Sequence, residues 1–471
     1  MKTTRKILSA LIAAVMLASC MGVGSSAAVL PDGSMNAEEW NTYFSALDNT
    51  MISLTPGSDE TQLNVCWHTS ASAAPSQFKI GKGISMSDAI TYDAYATQAE
   101  DEAQRVNRVI AAGLEANTEY YYAYTRNDGS WSAPALYRTL SADTFKVLFV
   151  TDIQISPDRG SGEMRNDSYC FNNVLSTALK SNDDISFILN AGDSTESGNN
   201  PVEWIGTLAP PALRNLPMAS AIGNHDKKGL SYKYYTFSPN NYDEALFPSE
   251  IGADNWFRYG EVLFLVYDST CGSVEDHNNF TEDAIKANKD AKWRVAMMHH
   301  DLNGSNDSAN SAESRILFRN IYGPLFEKYD IDLALTGHSH TYGRSHQMGY
   351  AGVLQNVDGI KSVTNPEGTV YVSGSTACYK YDAMEYDKPA WIAYRFEEPV
   401  NTYTTLEFSH DSLALRTCRC DTEELVDEYT INKTDTYEEE IDPAGMFDLY
   451  AIVRILGLIF GMIASLGSKF N

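Results

Sequence analysis

Five short stretches of this 471-residue chain combine oxygen and nitrogen side chains in patterns that could hold metal ions: Asp152-Ile153-Gln154, Gly192-Asp193, Gly223-Asn224-His225-Asp226, His299-His300 and Gly337-His338-Ser339-His340. Carboxylate, amide and imidazole donors suit zinc, iron and manganese. A lone histidine after a strand is usually a satisfied structural residue. Five such groups are hard to account for one by one, and their glycines let the backbone turn close to an ion. The chemistry such groups could do together is to hold metal ions where strands end.

The elements that must position these groups show in the apolar runs. Residues 147–150, 185–189, 218–222, 262–267, 294–298 and 333–335 alternate with helical segments, the signature of βαβ units and a largely buried sheet. Ligands of open α/β sheets bind outside the carboxyl ends of strands, and five of these runs end at a candidate group. From 368 to 433 the pattern returns to β and closes the sheet layer. Residues 51–139 carry short alternating strands with turn residues between them, which predicts an all-β sandwich with Trp67 in its core. Its Tyr92, Tyr95 and Trp131 read as core or edge residues; carbohydrate or protein binding there would rest on fold analogy alone. The organisation is thus a leader and spacer over 1–28, the sandwich over 49–140, the α/β domain over 143–433 and an apolar helix over 446–467.

In this order D-x-[H/Q], GD, GNH[D/E], HH and GHxH resemble the motifs of calcineurin-like metallophosphoesterases across about 146–344. The segment Leu114-Glu115-Ala116-Asn117-Thr118-Glu119-Tyr120 resembles the tyrosine corner of fibronectin type III domains. Together the layout is similar to the purple acid phosphatases and their bacterial relatives. The resemblance implies an α/β fold, a four-layer αββα sandwich preceded by a small all-β sandwich domain, and metal-dependent hydrolysis of phosphate monoesters by a hydroxide held on two metal ions. Those ions would be divalent or trivalent zinc, iron or manganese. One would take Asp152 and His340 with Gln154 nearby; the other would take Asn224, His299 and His338; Asp193 would bridge them. His225 would face the leaving-group oxygen, with Asp226 orienting its ring or acting as a structural cap. His300 would donate to the substrate phosphate or support the site from behind. Arg344, four residues past His340, is expected to support its loop rather than bind phosphate.

Two positions depart from the family pattern. Gln154 stands where many members have His, which weakens that ligand or leaves it acting through water. Glu196 stands where purple acid phosphatases place a metal-binding Tyr, so no charge-transfer colour is expected; the carboxylate could replace the tyrosinate or lie solvated beside Ser197-Gly198-Asn199-Asn200.

Charge and termini bound the partners. With 62 acidic against 35 basic side chains and a formal net charge of −27, a sequence-independent grip on nucleic acid is not expected, although a local cationic pocket is allowed. The substrate to expect is a phosphorylated small molecule or polymer. Lys2, Arg5 and Lys6 ahead of the apolar stretch 7–17 read as an export leader. Leu17-Ala18-Ser19-Cys20 resembles a bacterial lipobox, giving a surface lipoprotein anchored at Cys20; cleavage after Ser26-Ala27-Ala28 would instead release a secreted protein. The stretch 449–467, charged only at Arg454, reads as a membrane or interfacial helix or as a packing helix. Cys66, Cys170, Cys271, Cys378, Cys418 and Cys420 match no compact disulfide scaffold and read as core thiols or one disulfide. Two alternatives stand beside the monoesterase. One is a phosphodiesterase or nucleotide hydrolase, although the loop 301–314 lacks Lys and offers no evident cationic clamp for a polyphosphate. The other is a non-catalytic surface protein retaining the fold, which Gln154 favours and the remaining intact groups oppose.

Overall fold

The computed structural model describes residues 33–434 except 48–50, 157–160, 272, 304, 306–311 and 382–386. The leader, Cys20 and the apolar tail therefore lie outside the described residues. Among the described residues no helix is long and apolar enough to cross a membrane.

Alternation within single strands builds the larger domain. In Phe145–Val150, Val147 and Phe149 point into one core while Leu148 and Val150 point into another. Val262–Val266 does the same, with Phe264 facing inward and Leu263 and Leu265 facing outward. Because side chains alternate with a period of two, a strand buried on both faces must have apolar layers on both sides. The inner core, with Phe145, Phe187, Phe264, Trp293 and Phe408, lies between two sheets. Outside one sheet packs the helix Ser161–Ser181 through Phe171 and Leu175; outside the other pack Val274–Ala287 and Ala312–Lys328 through Phe280, Tyr322 and Phe326. The result is the four-layer αββα sandwich.

The first sheet runs in the order Met218–Ser220, Ile185–Asn190, Phe145–Val150, Thr402–Phe408, Ser412–Arg419, Leu425–Asn432 and Ser362–Thr364. The second runs Asn255–Tyr259, Val262–Val266, Trp293–Met297, Leu333–Thr336, Thr369–Ser373, Gly343–Gly349 and Gly352–Gln355, with Ile392–Arg395 also paired to Gly343–Gly349. Pairing is parallel through Phe145–Val150, Ile185–Asn190 and Met218–Ser220, and again from Val262–Val266 through Thr369–Ser373. Both sheets therefore send the carboxyl ends of their central parallel strands toward the candidate groups.

The amino-terminal sandwich pairs the sheet Ser53–Pro56, Gln62–Ser70, Gln104–Ala112, Tyr95–Gln98 with the sheet Ile90–Asp93, Gln77–Gly81, Glu119–Tyr124, Ala135–Arg138. Trp67, Phe78 and Tyr122 fill its core. The Tyr120 hydroxyl accepts the Glu115 N–H at 2.8 Å, which makes the expected corner. Tyr95 is exposed, and Trp131 is covered on one face by the Lys79 ammonium at 4.3 Å. The sandwich also grips the larger domain just downstream of His225. Ser53 Oγ donates to Tyr235 O at 2.8 Å, Asn64 Nδ2 donates to Phe237 O at 2.9 Å, and His68 stacks on Tyr235 with ring centres 4.3 Å apart.

Candidate metal centre

The candidate ligands sit on the turns that leave the parallel strands, and the backbone there is bent in a costly way. Asp152, Gln154, Asp193, His338 and His340 all have positive φ, between 46° and 69°. Left-handed conformations at non-glycine residues cost about 1–3 kcal/mol each and persist where the surroundings over-determine them. The intervening glycines are needed for space. A Cβ at Gly223 would lie 2.0 Å from Asp193 Oδ1, and one at Gly337 would lie 2.6 Å from Asp152 Oδ2.

Hydrogen bonds stitch the strand ends together. Asp152 Oδ2 accepts from Thr151 Oγ1 at 2.8 Å and from the His338 N–H at 2.9 Å, which joins the ends of the two sheets. Within the first sheet, the Gln154 N–H donates to Asp193 O at 2.8 Å. His299 Nδ1 lies 3.0 Å from Ala191 O, so it donates there and leaves Nε2 as the ligating nitrogen. That Nε2 lies 3.2 Å from Asp193 Oδ2, 3.0 Å from Asn224 Oδ1 and 3.2 Å from His338 Nδ1. Ligand atoms of Asp193, His299 and His338 all fall within 4.8 Å of one another. On the other side His340 Nε2 lies 3.2 Å from Asp152 Oδ1. The buried Gln154 Oε1 has no hydrogen-bond partner among the described residues.

The electrostatics match this geometry. Burial opposes charge on Asp193 and Asp152, yet both carboxyls are held below the usual carboxylate range, by His299 and by His340 respectively. Burial also opposes charge on His299, but the carboxylate of Asp193 pushes it up to about 9. His338 is held down at about 4 by burial and by the charge on His299. Ionised carboxylates, imidazole nitrogens and a buried orphan amide oxygen converge, a donor set that fits small, highly charged cations, with His299 giving up its Nε2 proton on ligation.

Around these residues the structure sorts the remaining candidates. The His225 N–H donates to Asp193 Oδ1 at 2.8 Å, and its ring Nδ1 lies 2.7 Å from Glu196 O, which leaves Nε2 for a substrate. Asp226 does not hold that ring. Its buried carboxylate accepts from the N–H groups of Ser194, Thr195 and Gly223 and from Thr195 Oγ1, the structural cap of the two expectations. His300 stacks on Phe318 with centroids 4.4 Å apart, and its Nδ1 lies 2.9 Å from Ser269 Oγ. Ser269 Oγ accepts the His300 N–H at 3.1 Å; in the tautomer whose Nδ1 accepts the Ser269 hydroxyl proton, the ring proton lies on Nε2. Burial holds His300 neutral, well below the ordinary histidine value. Arg344 makes a buried fork to Asp427, Nε to Oδ2 at 2.7 Å and Nη2 to Oδ1 at 3.1 Å, and so ties the sheets together away from any substrate.

Glu196 behaves differently from both sequence expectations. It is neither drawn to the ligand cluster nor solvated: its carboxylate pairs with Lys380 and lies 3.2 Å from His225 Nδ1. Cations do stand beside His225, outside the loop 301–314. Lys228 Nζ lies 2.7 Å from His225 Nδ1, and Lys227 Nζ donates to Thr270 O at 2.5 Å. The signal is in the sequence, because Lys227-Lys228 directly follows Asp226. Ser269 was also missed, and a serine after an apolar run gives no warning by itself.

The family description calcineurin-like phosphoesterase matches residues 145–342, and purple acid phosphatase, N-terminal domain matches residues 50–139. Mouse (Mus musculus) acid phosphatase type 7 is 27% identical over 207 residues, 41% of this chain and 47% of the mouse protein, so the match spans about half of that relative. A nucleotide pyrophosphatase/phosphodiesterase of Hordeum vulgare is 22% identical over 334 residues, 66% of this chain and 90% of the barley protein. The fold is similar to that of a purple acid phosphatase from yellow lupin (Lupinus luteus) seeds, with a TM-score of 0.67 and 16% identity over 81% of this chain and 74% of the lupin chain.

Proposed function

From the premise that the chain carries a calcineurin-like metallophosphoesterase domain behind a purple acid phosphatase N-terminal domain, we propose that it hydrolyses phosphate esters, monoesters first, at a two-metal centre. The observation that carries this reading is the convergence of the buried Asp193 and His299 with the half-buried His338 at the strand ends of both sheets. Asp152, His340 and Gln154 would hold one ion, Asn224, His299 and His338 the other, and Asp193 both. When bound, such ions supply an acidified water and positive charge for the phosphoryl oxygens.

The protein's own side chains supply the rest. His225, hung from Asp193 and with Nδ1 accepting from the Lys228 ammonium, keeps its ring proton on Nε2 and donates it toward the departing oxygen. His300, neutral and with its proton on Nε2, donates to a phosphoryl oxygen without adding charge. Gln154 Oε1 supports oxygen ligation from a buried position. The sequence features of the leader, Cys20 and the tail support export to the cell surface.

The test is hydrolysis of p-nitrophenyl phosphate and bis-p-nitrophenyl phosphate by the purified chain, after chelation and again with Zn²⁺, Mn²⁺ or Fe²⁺ restored. Metal-dependent recovery with the monoester ahead is expected. Recovery on the diester alone would turn the reading to a phosphodiesterase. No recovery on folded, metal-loaded protein would leave a surface protein that keeps only the fold.

A further inference from the structure

A buried ion pair lies outside the ligand cluster and has no part in the hydrolysis described above. His277, on the helix Val274–Ala287, sets Nδ1 2.5 Å from Oδ2 of Asp254, the residue just ahead of the strand Asn255–Tyr259. Both side chains are buried. Burial opposes charge on His277, yet the Asp254 carboxylate pushes its pKa above the ordinary histidine value. The other ring nitrogen, Nε2, lies 3.0 Å from the hydroxyl of Tyr322 on the helix Ala312–Lys328 and 3.3 Å from Cys271 O. A buried ion pair adds little stability over apolar side chains of similar volume; what it can add is a fixed direction.

What this pair holds is the end of a strand. Asp254 Oδ1 accepts the N–H of Asp268 at 2.8 Å, two residues past Val262–Val266. Asp268 in turn closes the bend that follows: its Oδ1 accepts from the Thr270 N–H at 3.0 Å and from Thr270 Oγ1 at 2.6 Å, and its carbonyl accepts the Cys271 N–H at 3.2 Å. Between these fixed points stands Ser269, whose Oγ accepts the N–H of His300 at 3.1 Å and lies 2.9 Å from its Nδ1. The helix Ala312–Lys328 meets both ends of this route, with Tyr322 at His277 and Phe318, one turn earlier on the same face, stacked on His300.

We infer that Asp254, oriented by His277, is a positioning residue for His300, acting through the main chain of Asp268 and the hydroxyl of Ser269. This role rests on the phosphoesterase reading above, in which His300 donates to a phosphoryl oxygen. An imidazole held both at Nδ1 and at its own main-chain N–H keeps Nε2 aimed at one place. A displacement of about 1 Å caused far from the chemistry can cost on the order of 100-fold in rate.

The experiment is a double-mutant cycle on the metal-loaded full chain, with wild type, Asp254→Asn, His300→Ala and the two combined, assayed on p-nitrophenyl phosphate. Asp254→Asn keeps the side-chain volume and removes the charge that faces His277. It should lower kcat about tenfold with KM within about twofold, and the same change made in the His300→Ala protein should cost less than about twofold. Equal losses in the two backgrounds would overturn the inference, because a role in the fold alone does not depend on the His300 ring; so would an unchanged kcat in Asp254→Asn. Should that variant fail to fold, Ser269→Ala removes only the last link of the same route, and wild-type kcat there would overturn the inference equally. The ring-nitrogen chemical shifts of His300, assigned by their disappearance in His300→Ala, read the contact without turnover and should move in Asp254→Asn and in Ser269→Ala. Shifts that move in a protein that leaves p-nitrophenyl phosphate uncleaved would sink the phosphoesterase reading and keep the positioning contact, whereas cleavage with unmoved shifts would do the reverse.

Discussion

The main-chain N–H of His225 donates to Oδ1 of Asp193 at 2.8 Å, so the loop that would meet the leaving group hangs from the carboxylate that would hold both ions. The other oxygen of Asp193 lies 3.2 Å from His299 Nε2. Asp193→Asn keeps the shape and an acceptor for His225 but removes the charge that the two proposed ions would share. Turnover of p-nitrophenyl phosphate should drop at least about 100-fold, with bound metal reduced and the fold retained by circular dichroism. Wild-type turnover in this variant would sink the assignment of the centre.

Gly223→Ala tests how closely the loops are packed. The added Cβ would lie 2.0 Å from Asp193 Oδ1 and 2.3 Å from Asp193 N, and a main-chain nitrogen cannot swing aside as a side-chain tip can. The variant should lose about 1–3 kcal/mol of stability and bind metal more weakly. Metal content by mass spectrometry and a denaturant melt would show it, and wild-type values for both would mean that the two loops are not in contact.

The order of elements was readable because a strand buried on both faces has few alternatives to an unbroken apolar run, and because five of the six runs end at a residue with metal-ligand chemistry. What the pattern could not assign was sheet membership. Residues 147–150 and 262–267 look alike in sequence, yet they fall in different sheets, since the choice depends on which edges Thr402–Phe408 and Thr369–Ser373 take. The same limit applied at the site. His299 and His338 announced themselves by type and place, whereas the pairing of Glu196 with Lys380, 184 positions apart, depends on a long-range approach that no local pattern encodes. Asp226 was undecided between ring and cap because both require a carboxylate two residues past Asn224, and only the direction of its oxygens separates them.

Arg344 offers a test of support against substrate binding. Its guanidinium and the Asp427 carboxylate are both nearly inaccessible, and the guanidinium carbon lies 4.4 Å from the centre of the Tyr429 ring. Removing the arginine leaves Asp427 buried without its charge partner, with only the Tyr342 hydroxyl donating to Oδ2 at 2.8 Å among the described residues. Arg344→Ala should therefore lose about 3–5 kcal/mol in a urea melt. Its KM for p-nitrophenyl phosphate, measured well below the melting temperature, should stay near wild type. A large rise in KM with little loss of stability would instead place the guanidinium on the phosphate.

His68 makes the docking of the β-sandwich sensitive to acid. Burial, assisted by Arg108, lowers its pKa to about 4, and its ring packs on Tyr235 of the larger domain. Above the ordinary histidine pKa of about 6.5 the ring is neutral whether folded or unfolded, so it adds no pH dependence there. Between about 6.5 and 4 the unfolded chain takes up a proton that the folded one refuses, so stability falls as pH falls, by about 1.4 kcal/mol per pH unit at most. His68→Phe keeps a ring against Tyr235 and cannot be protonated. Urea midpoints for wild type and variant at pH 7 and pH 4.5 should show a loss on acidification that is smaller in the variant by about 2 kcal/mol. Equal losses would mean that His68 is already protonated, or accessible to solvent, in the folded protein.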